Sequence, residues 1–355
     1  MDKKGRHKNR RVSGMILGFL MIGLGWGETL PTAQASSYTY TPIFTTSLNG
    51  QQTATNLYGI NNSGEISGMY SGYGIGFIDN NGTFTEVKNP NVGYGLNVRG
   101  INSGGAVVGY GIEISTSFFT SFIDNKGTFT IIGVPPGGNS TGDQAFGINK
   151  FNAVVGWFAN QSTGQETGYE YANGIYTNIL PPNTYFKTSV AYGINNSGEI
   201  VGNADGYGNG GFLYENGKYS PINLTIPGLL INGVTPRGIS GNGDIVGYYD
   251  WINQKTLTSG TSGFLDVNGV FTTINVPGAT STRLYGINNA GDIVGNYSSP
   301  NSPINSSDGL IGFLATPVSS ISATPEPPAL VLFGSSLLLL GMVALRRRGL
   351  SLKKS

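Results

Sequence analysis

The sequence contains no cysteine and a single histidine, His7, in 355 residues. Without cysteine there can be no disulfide and no thiol nucleophile, and one histidine cannot build a His-ligated zinc site. Charged residues are also scarce, at 11% of the chain against about 25% in ordinary globular proteins. We therefore predict no catalytic residue, no metal site and no cofactor.

Glycine, by contrast, is abundant, with 57 residues and no Gly-X-Y period. Such a content is incompatible with both collagen and a helix-rich domain. Hydrophobic residues make up 38% of the chain and aromatic residues 11%. This is enough apolar surface for a buried core, so the composition favours a folded all-β protein over a disordered one.

The N-terminus has the three parts of a signal peptide. Six basic residues in positions 1–12 precede an apolar run from Met15, and Ala33-Gln34-Ala35 follows as a small-x-small cleavage site. We predict a helical signal peptide over residues 1–35, cut after Ala35, so that His7 is lost on export. Arg10-Arg11 leaves a twin-arginine signal as the alternative.

The C-terminus contains a second apolar segment. Residues 329–345 carry no charge and are followed by Arg346, Arg347 and Arg348. At 1.5 Å per residue the segment spans about 25 Å as a helix, the short limit for crossing a bilayer. The arginines predict an inner-membrane precursor with residues 349–355 in the cytoplasm.

The segment Pro325-Glu326-Pro327, the apolar helix and the arginine cluster stand in that order at the end of the chain. Residues 324–348 thereby resemble the PEP-CTERM sorting tail of Gram-negative bacteria. The resemblance implies that an exosortase recognises the tail, cuts near Pro-Glu-Pro and delivers the protein to the cell surface. A plain membrane anchor is the alternative.

Between these ends the chain is mildly acidic. Residues 36–325 carry nine basic and sixteen acidic side chains, a net charge of −7. The charges are spread evenly, without a basic patch, which argues against nucleic acid as a partner.

A motif of Gly-Ile-Asn, or Gly-Ile-Ser in the fifth copy, recurs six times at intervals of 41, 47, 46, 45 and 48 residues. A period of this length indicates an array of repeated units. Each unit contains four short strand-like runs ended by Asn, Gly or Pro. The first residues of the six motifs are Gly59, Gly100, Gly147, Gly193, Gly238 and Gly286.

Turn residues between these runs indicate tight reversals. Asn-Ser-Gly before Glu199, Gly-Asn-Gly before Asp244, the 215–217 segment and the 124–127 segment all supply residues that tolerate positive φ. Each unit is therefore predicted to be a four-stranded antiparallel meander of about 45 residues, which has to stack on its neighbours to bury its faces.

The sixth unit ends without a fourth strand, whereas residues 38–43, before the first motif, read like the fourth strand of unit four. A chain that begins with the last strand of its last blade can close a ring and remove exposed edges. We predict a six-bladed β-propeller over residues 36–316, closed by the N-terminal strand, with a linker over residues 317–323. An open β-solenoid is the alternative.

The units also resemble the exported HAF-type repeat family, which pairs a Gly-Ile-Asn-x-x-Gly hairpin with a later Phe-Leu strand, as in residues 193–202 with residues 211–213. The His-Ala-Phe of that family is absent, since the corresponding triplets, such as 210–212, contain no histidine. The resemblance implies a fold and export, not a reaction.

Two classes of side chain are candidates for function. The acid of the first hairpin recurs as Glu65, Glu199, Asp244 and Asp292, and we interpret it as a turn residue. Aromatic residues follow the second strand of five units, and they serve either blade packing or a sugar-binding rim. Trp251 is predicted to lie outside the strand pattern, in the longest insertion, as the best candidate for exposed recognition. The candidate ligand-binding residues are Tyr70, Tyr110, Trp157, Tyr249, Trp251 and Tyr297.

Together these features predict an exported cell-surface or extracellular-matrix protein whose partners are an exosortase, the export machinery and extracellular polysaccharide. A non-enzymatic binding or structural role is favoured. The alternative is a polysaccharide lyase or glycoside hydrolase, which would need two convergent carboxylates.

Overall fold

The computed structural model describes residues 37–46, 52–71, 74–182, 187–206, 208–300 and 309–318. Every regular element in these ranges is a β-strand, which confirms the all-β prediction. None of the described segments forms a helix of the length and apolarity that a membrane span requires. The predicted signal peptide and sorting tail, with residues 349–355, lie outside the described residues, as does the linker from residue 319 onward.

The strands follow the repeat. Two of them, β1 (Tyr38–Pro42) and β2 (Phe44–Thr46), precede the first motif. The first three units comprise β3 (Gln52–Ile60), β4 (Ile66–Tyr70), β5 (Ile75–Asn80), β6 (Thr83–Glu86), β7 (Val92–Ile101), β8 (Val107–Glu113), β9 (Phe119–Asn125), β10 (Thr128–Ile131), β11 (Gly138–Ile148), β12 (Val154–Asn160), β13 (Glu166–Ala172) and β14 (Ile175–Ile179). The last three comprise β15 (Ser189–Ile194), β16 (Ile200–Ala204), β17 (Gly211–Glu215), β18 (Lys218–Ile222), β19 (Leu229–Ile239), β20 (Ile245–Asn253), β21 (Ser259–Val267), β22 (Val270–Ile274), β23 (Ser281–Ile287), β24 (Ile293–Ser298) and β25 (Ile311–Pro317).

The sheets are antiparallel meanders. Units two, three and four are separate four-stranded sheets, and unit one carries β2 as a fifth strand. The remaining eight-stranded sheet contains two meanders, β19–β22 and β23–β25 with β1, which a single parallel bridge joins between Thr261 and Ser281. In this sheet β1 pairs with β25 from Tyr38 opposite Pro317 to Pro42 opposite Phe313.

The turn residues behave as the sequence predicts. Gly198 and Gly243 adopt φ of 84° and 87° in the first hairpins of units four and five. Asn216 and Gly217 adopt φ of 51° and 78° one hairpin later. Two consecutive positive φ values match the right-handed twist of the strands they join, which explains why Asn-Gly pairs recur at these turns.

The hydrophobic core lies between neighbouring units. Ala106 of unit two clusters with Ile148 of unit three, and Val201 of unit four clusters with Ile239 of unit five. The cluster around Leu57 of unit one includes Val294 of unit six. The sheets thus bury their faces against one another, and the strands that carry Gly-Ile-Asn line a common cavity. This arrangement is β-propeller-like.

Candidate functional site

The asparagine of each Gly-Ile-Asn motif folds its own turn and binds the next unit. In unit four, Asn195 Oδ1 accepts the N–H groups of Ser197 and Glu199, both at 3.0 Å. Its Nδ2 donates to the backbone oxygen of Ser240, 45 residues later, at 3.0 Å. Because one side chain satisfies groups in two units, the motif fixes both the hairpin and the stacking.

The same link recurs from unit to unit. Asn61 donates to the backbone oxygen of Asn102, and Asn102 donates to that of Asn149. Asn288, in the last motif, donates to the backbone oxygen of Asn61 in the first, at 3.4 Å.

Unit five carries Ser240 in place of asparagine, and neighbouring groups replace the missing amide. Ser240 Oγ still accepts the N–H groups of Asn242 and Asp244, at 3.1 Å each. The link to unit six comes instead from Gly241 N–H to Asn289 Oδ1 at 2.7 Å and from Asn242 Nδ2 to Asn289 O at 3.2 Å. The connection between units is therefore retained although the residue differs.

The glycine of the motif allows the innermost strands to approach closely. A Cβ on Gly193 would lie 2.8 Å from the Arg237 backbone oxygen, and one on Gly147 would lie 2.8 Å from that of Tyr192. Such contacts are shorter than packed atoms tolerate. Only glycine fits here, because of space and not because of its φ.

A β-bulge interrupts each innermost strand one residue before that glycine. In unit four the register passes from Ala191 to Gly193 and leaves Tyr192 unpaired. A bulge redirects the extra side chain, and the same shift occurs in all six units. The six bulged residues surround one opening of the central cavity and are here named the bulge ring: Tyr58, Arg99, Phe146, Tyr192, Arg237 and Tyr285.

The wall of the central cavity continues from the bulge ring through the glycines and isoleucines to the asparagines of the motifs. The part that the motif glycines and isoleucines line has a volume of about 120 Å³. Within the described part of the chain, none of the residues that line the cavity is an aspartate or a glutamate. The cavity therefore offers guanidinium groups and aromatic rings at one end and amides at the other.

The two arginines of the bulge ring stack on tyrosines. The Arg99 guanidinium carbon lies 3.9 Å from the centroid of the Tyr58 ring, and that of Arg237 lies 3.8 Å from the centroid of Tyr192. Burial raises the pKa of the Tyr248 hydroxyl, but the Arg237 guanidinium, together with Arg283 and a hydrogen bond to Thr235, lowers that pKa below its ordinary value.

Sequence reasoning did not identify the bulge ring, and it found no basic patch. The signal was present, because the residue before each Gly-Ile pair is aromatic or arginine in all six units. This pattern could not be assigned to the cavity from the sequence alone. The direction of these side chains depends on the bulge, which interrupts the alternation of side chains between the two faces of a regular strand.

The predicted ligand-binding aromatics do not share one surface. Tyr110, Tyr249 and Tyr297 are 8%, 2% and 9% exposed. Tyr249 bonds Thr273 Oγ1 through its hydroxyl at 3.0 Å, and Tyr297 packs edge-on to Phe313. These three are mainly core residues, although Tyr110 also bonds Arg99 of the bulge ring.

Tyr70 and Trp157 are half-buried. The Tyr70 ring stacks on Phe77 with centroids 5.0 Å apart. Trp157 lies in β12 opposite Gly168 of β13. Both side chains sit within the sheets of their units.

The placement of Trp251 outside the strand pattern was wrong. Trp251 is part of β20 and pairs with Gly260 of β21. Its indole Nε1 donates to Ser262 Oγ at 3.1 Å, and the ring is half-buried against Gly260. The insertion lengthens the hairpin instead of forming a loop, because β20 and β21 stay paired residue by residue as far as Ile252 opposite Ser259.

The recurring carboxylates belong to the turns. Glu65 Oε2 accepts the Asn61 amide at 2.7 Å, and Asp292 Oδ2 accepts that of Asn288 at 2.9 Å. Asn195 donates likewise to Glu199. Within the described ranges no group of three or more His, Asp or Glu side chains is arranged to hold a metal ion. The predicted cleavage site, Ala33 and Ala35, and the sorting residues Pro325, Glu326, Pro327 and Arg346–Arg348 lie outside the described residues.

Comparisons with known proteins show no matching family model and no matching curated protein sequence. Several solved structures are similar in fold. Virginiamycin B lyase from Staphylococcus aureus is 14% identical, with 79% of this chain and all of that chain covered and a TM-score of 0.44. A putative TolB from Agrobacterium tumefaciens is 12% identical, with the same coverage and a TM-score of 0.48. The β-propeller domain of the trilobed protease from Pyrococcus furiosus is 9% identical, with 70% and 92% covered and a TM-score of 0.39. At these identities the likeness concerns the fold alone.

Proposed function

We propose that this chain is an exported, non-enzymatic binding or structural protein of the cell surface or extracellular matrix, which associates with exopolysaccharide through a closed six-bladed propeller. Export and surface delivery rest on the signal peptide and on the PEP-CTERM resemblance of residues 324–348. The exosortase is then the processing partner, and the HAF-type resemblance supports the same extracellular setting.

Closure of the ring is supported by contacts between the ends of the repeat. The N-terminal strand β1 pairs with β25, and the Tyr58 and Tyr285 rings meet edge-on with centroids 5.3 Å apart. The Asn289 N–H donates to Asn62 Oδ1 at 2.9 Å. An open array would not bring its first and last units together in this way.

The observation that carries the binding role is the composition of the central cavity. Phe146, Tyr192 and Tyr285 keep part of their rings exposed there, while the residues that follow three of the motif asparagines supply accessible amides at the opposite end, namely Asn62, Asn196 and Asn289. Aromatic faces and amide groups are the usual contacts of sugar-binding sites. Because the described residues of the cavity lining include no carboxylate, they offer no acid–base pair for a lyase or glycoside hydrolase.

A glycan array probed with the full chain tests this function. We expect retention of one class of extracellular polysaccharide, with binding reduced at least fivefold in Phe146→Leu. Phe151→Leu is the matched control, because Phe151 is 67% exposed and outside the cavity lining. Absence of binding to any glycan would contradict the proposal, and release of oligosaccharides from a bound polymer would favour the enzyme alternative.

A further inference from the structure

Two arginines occupy equivalent positions of the bulge ring, in units two and five. Arg99 and Arg237 are each the extra residue of a bulge, and both line the same opening of the central cavity. Each guanidinium is surrounded mainly by aromatic rings, with Tyr58, Tyr110 and Phe146 around Arg99.

Neither arginine pairs with an acidic side chain of the described ranges. Among the described residues the one ion pair joins Lys88 and Glu86, at the surface. Arg99 donates through Nη2 to the Tyr110 hydroxyl at 2.8 Å and to Asn97 Oδ1 at 3.5 Å, and Arg237 donates through Nη2 to the Tyr248 hydroxyl at 3.0 Å. The buried Nε atoms of both arginines have no hydrogen-bond partner among the residues that the structure describes.

Both arginine side chains are half-buried, so each guanidinium has lost part of its hydration without gaining a counter-charge. An arginine remains charged at every physiological pH, and removing a charge from water is costly unless a counter-charge or full hydrogen bonding replaces the water. The two positive charges also repel each other. Stacking on Tyr58 and Tyr192 offsets part of this cost and leaves the net charge of +2 in place.

The size of the cavity and the contacts of the two arginines also limit which ligand could neutralise that charge. The part of the cavity that the motif glycines and isoleucines line has a volume of about 120 Å³, which has room for several water molecules or a small ion. In both cases Nη2 donates to a neutral tyrosine hydroxyl, so this contact supplies no negative charge to either guanidinium.

We infer that the central cavity binds one small oxyanion, either as a free ion or as the carboxylate or sulfate group of an acidic sugar, between Arg99 and Arg237. Guanidinium groups bind such anions through paired, charge-assisted hydrogen bonds. The inference goes beyond the proposed function, because it holds whether or not the chain binds a polymer.

Calorimetric titration of the full chain with sodium sulfate, sodium glucuronate and glucose tests this site. We expect saturable 1:1 binding of sulfate, glucuronate or both, and none of glucose. Binding of sulfate identifies a free-ion site, whereas binding of glucuronate alone identifies a site for acidic sugars. The double variant Arg99→Met/Arg237→Met should lose at least tenfold in affinity.

Lys218→Met is the matched control, because Lys218 is an exposed cation outside the cavity lining. Its affinity should equal that of the unaltered chain. Should the double variant not fold, the single variant Arg237→Lys keeps the charge and removes the planar fork, and it should still weaken binding several-fold. Absence of saturable binding of either anion, equal binding of glucose, or full affinity in the double variant would overturn the inference. A negative glycan array with positive sulfate binding would contradict the proposed function alone.

Discussion

The buried Leu57 N–H donates to Oδ1 of Asn296 at 2.9 Å and so joins two residues that are 239 positions apart. Leu57 belongs to the innermost strand of unit one, and Asn296 belongs to β24 of unit six. Both ends of the repeat thus contribute to one interior, and the stability of the protein should depend on its terminal strand.

Deletion of residues 36–44 tests that dependence. The deletion removes β1 and its five residue pairs with β25. At about 1 kcal/mol net for each backbone hydrogen bond, the loss is comparable with a total stability of about 5–15 kcal/mol. We expect a large fall in melting temperature across the whole domain, measured by circular dichroism. The control variant Thr41→Ala, at an exposed position in β1, should leave the melting temperature unchanged. An unaltered melting temperature in the deleted protein would favour an open array.

The motif asparagine should contribute to stability through two separable functions. Asn195→Ala leaves the N–H groups of Ser197 and Glu199 without their acceptor and breaks the link to Ser240. We expect a loss of about 2–4 kcal/mol, since at least three hydrogen bonds are lost at about 0.5–1.5 kcal/mol net each. Asn195→Ser should lose less, because Ser240 accepts the same turn hydrogen bonds in unit five. Urea denaturation measures the free energy of unfolding of both variants. Equal losses in Asn195→Ala and Asn195→Ser would contradict two separate functions of the side chain.

Crowding at the motif glycine predicts a difference between two glycine-to-alanine variants. Gly193→Ala places a Cβ 2.8 Å from the Arg237 backbone oxygen and should cost about 1–3 kcal/mol. Gly233→Ala is the matched control in another innermost strand, because a Cβ there meets nothing within 4 Å. Thermal denaturation of both variants should show a loss in the first only. A stable Gly193→Ala protein would argue against the close approach of the strands.

Burial of Asp143 should make the stability depend on pH. Its side chain is fully buried, its Oδ1 has no hydrogen-bond partner, and burial raises its pKa from 3.8 to about 7, partly opposed by Ser121 and Tyr169. The folded state therefore holds the proton more tightly than the unfolded chain. This contribution to stability is complete below about pH 4 and is lost as the pH rises to about 7, by up to ~1.4 kcal/mol per pH unit.

Asp143→Asn should remove this loss, because the amide stays neutral. Urea denaturation between pH 4 and pH 8 should show that the stability of the variant, relative to that of the unaltered protein, increases as the pH rises. Asp250→Asn, at an exposed carboxylate, is the control. Parallel pH profiles for Asp143→Asn and the unaltered protein would contradict the buried, proton-holding carboxyl.

Processing at both ends should produce a shorter surface form. We expect mature material that begins at Ser36 and lacks residues 329–345, because the Ala33-x-Ala35 site and the Pro-Glu-Pro segment bracket the repeat. Mass spectrometry of protein from the cell surface measures both ends. Replacing Glu326 by Ala should retain the tail if an exosortase reads the motif. Surface material that still contains residues 329–345 would favour a plain membrane anchor.

Local features of the fold were predictable from the sequence because they depend on neighbouring residues. The positive φ of Gly198 and the two-residue turn at Asn216-Gly217 follow from which side chains tolerate that backbone. The meanders follow from the repeat, since each short apolar run ends at such a turn. The extension of β20 through Trp251 was missed, because a longer hairpin and an insertion have the same composition.

The sequence by itself determined the repeat, the strands and the turns of this protein, since each depends on residues within one unit of about 45 positions. Only the tertiary structure decided which side chains meet in the central cavity. Arg99 and Arg237 are 138 positions apart, and their common opening arises from a bulge in each innermost strand together with the packing of one unit on the next. That convergence depends on contacts between residues far apart in the chain, so no pattern within a single unit encodes it.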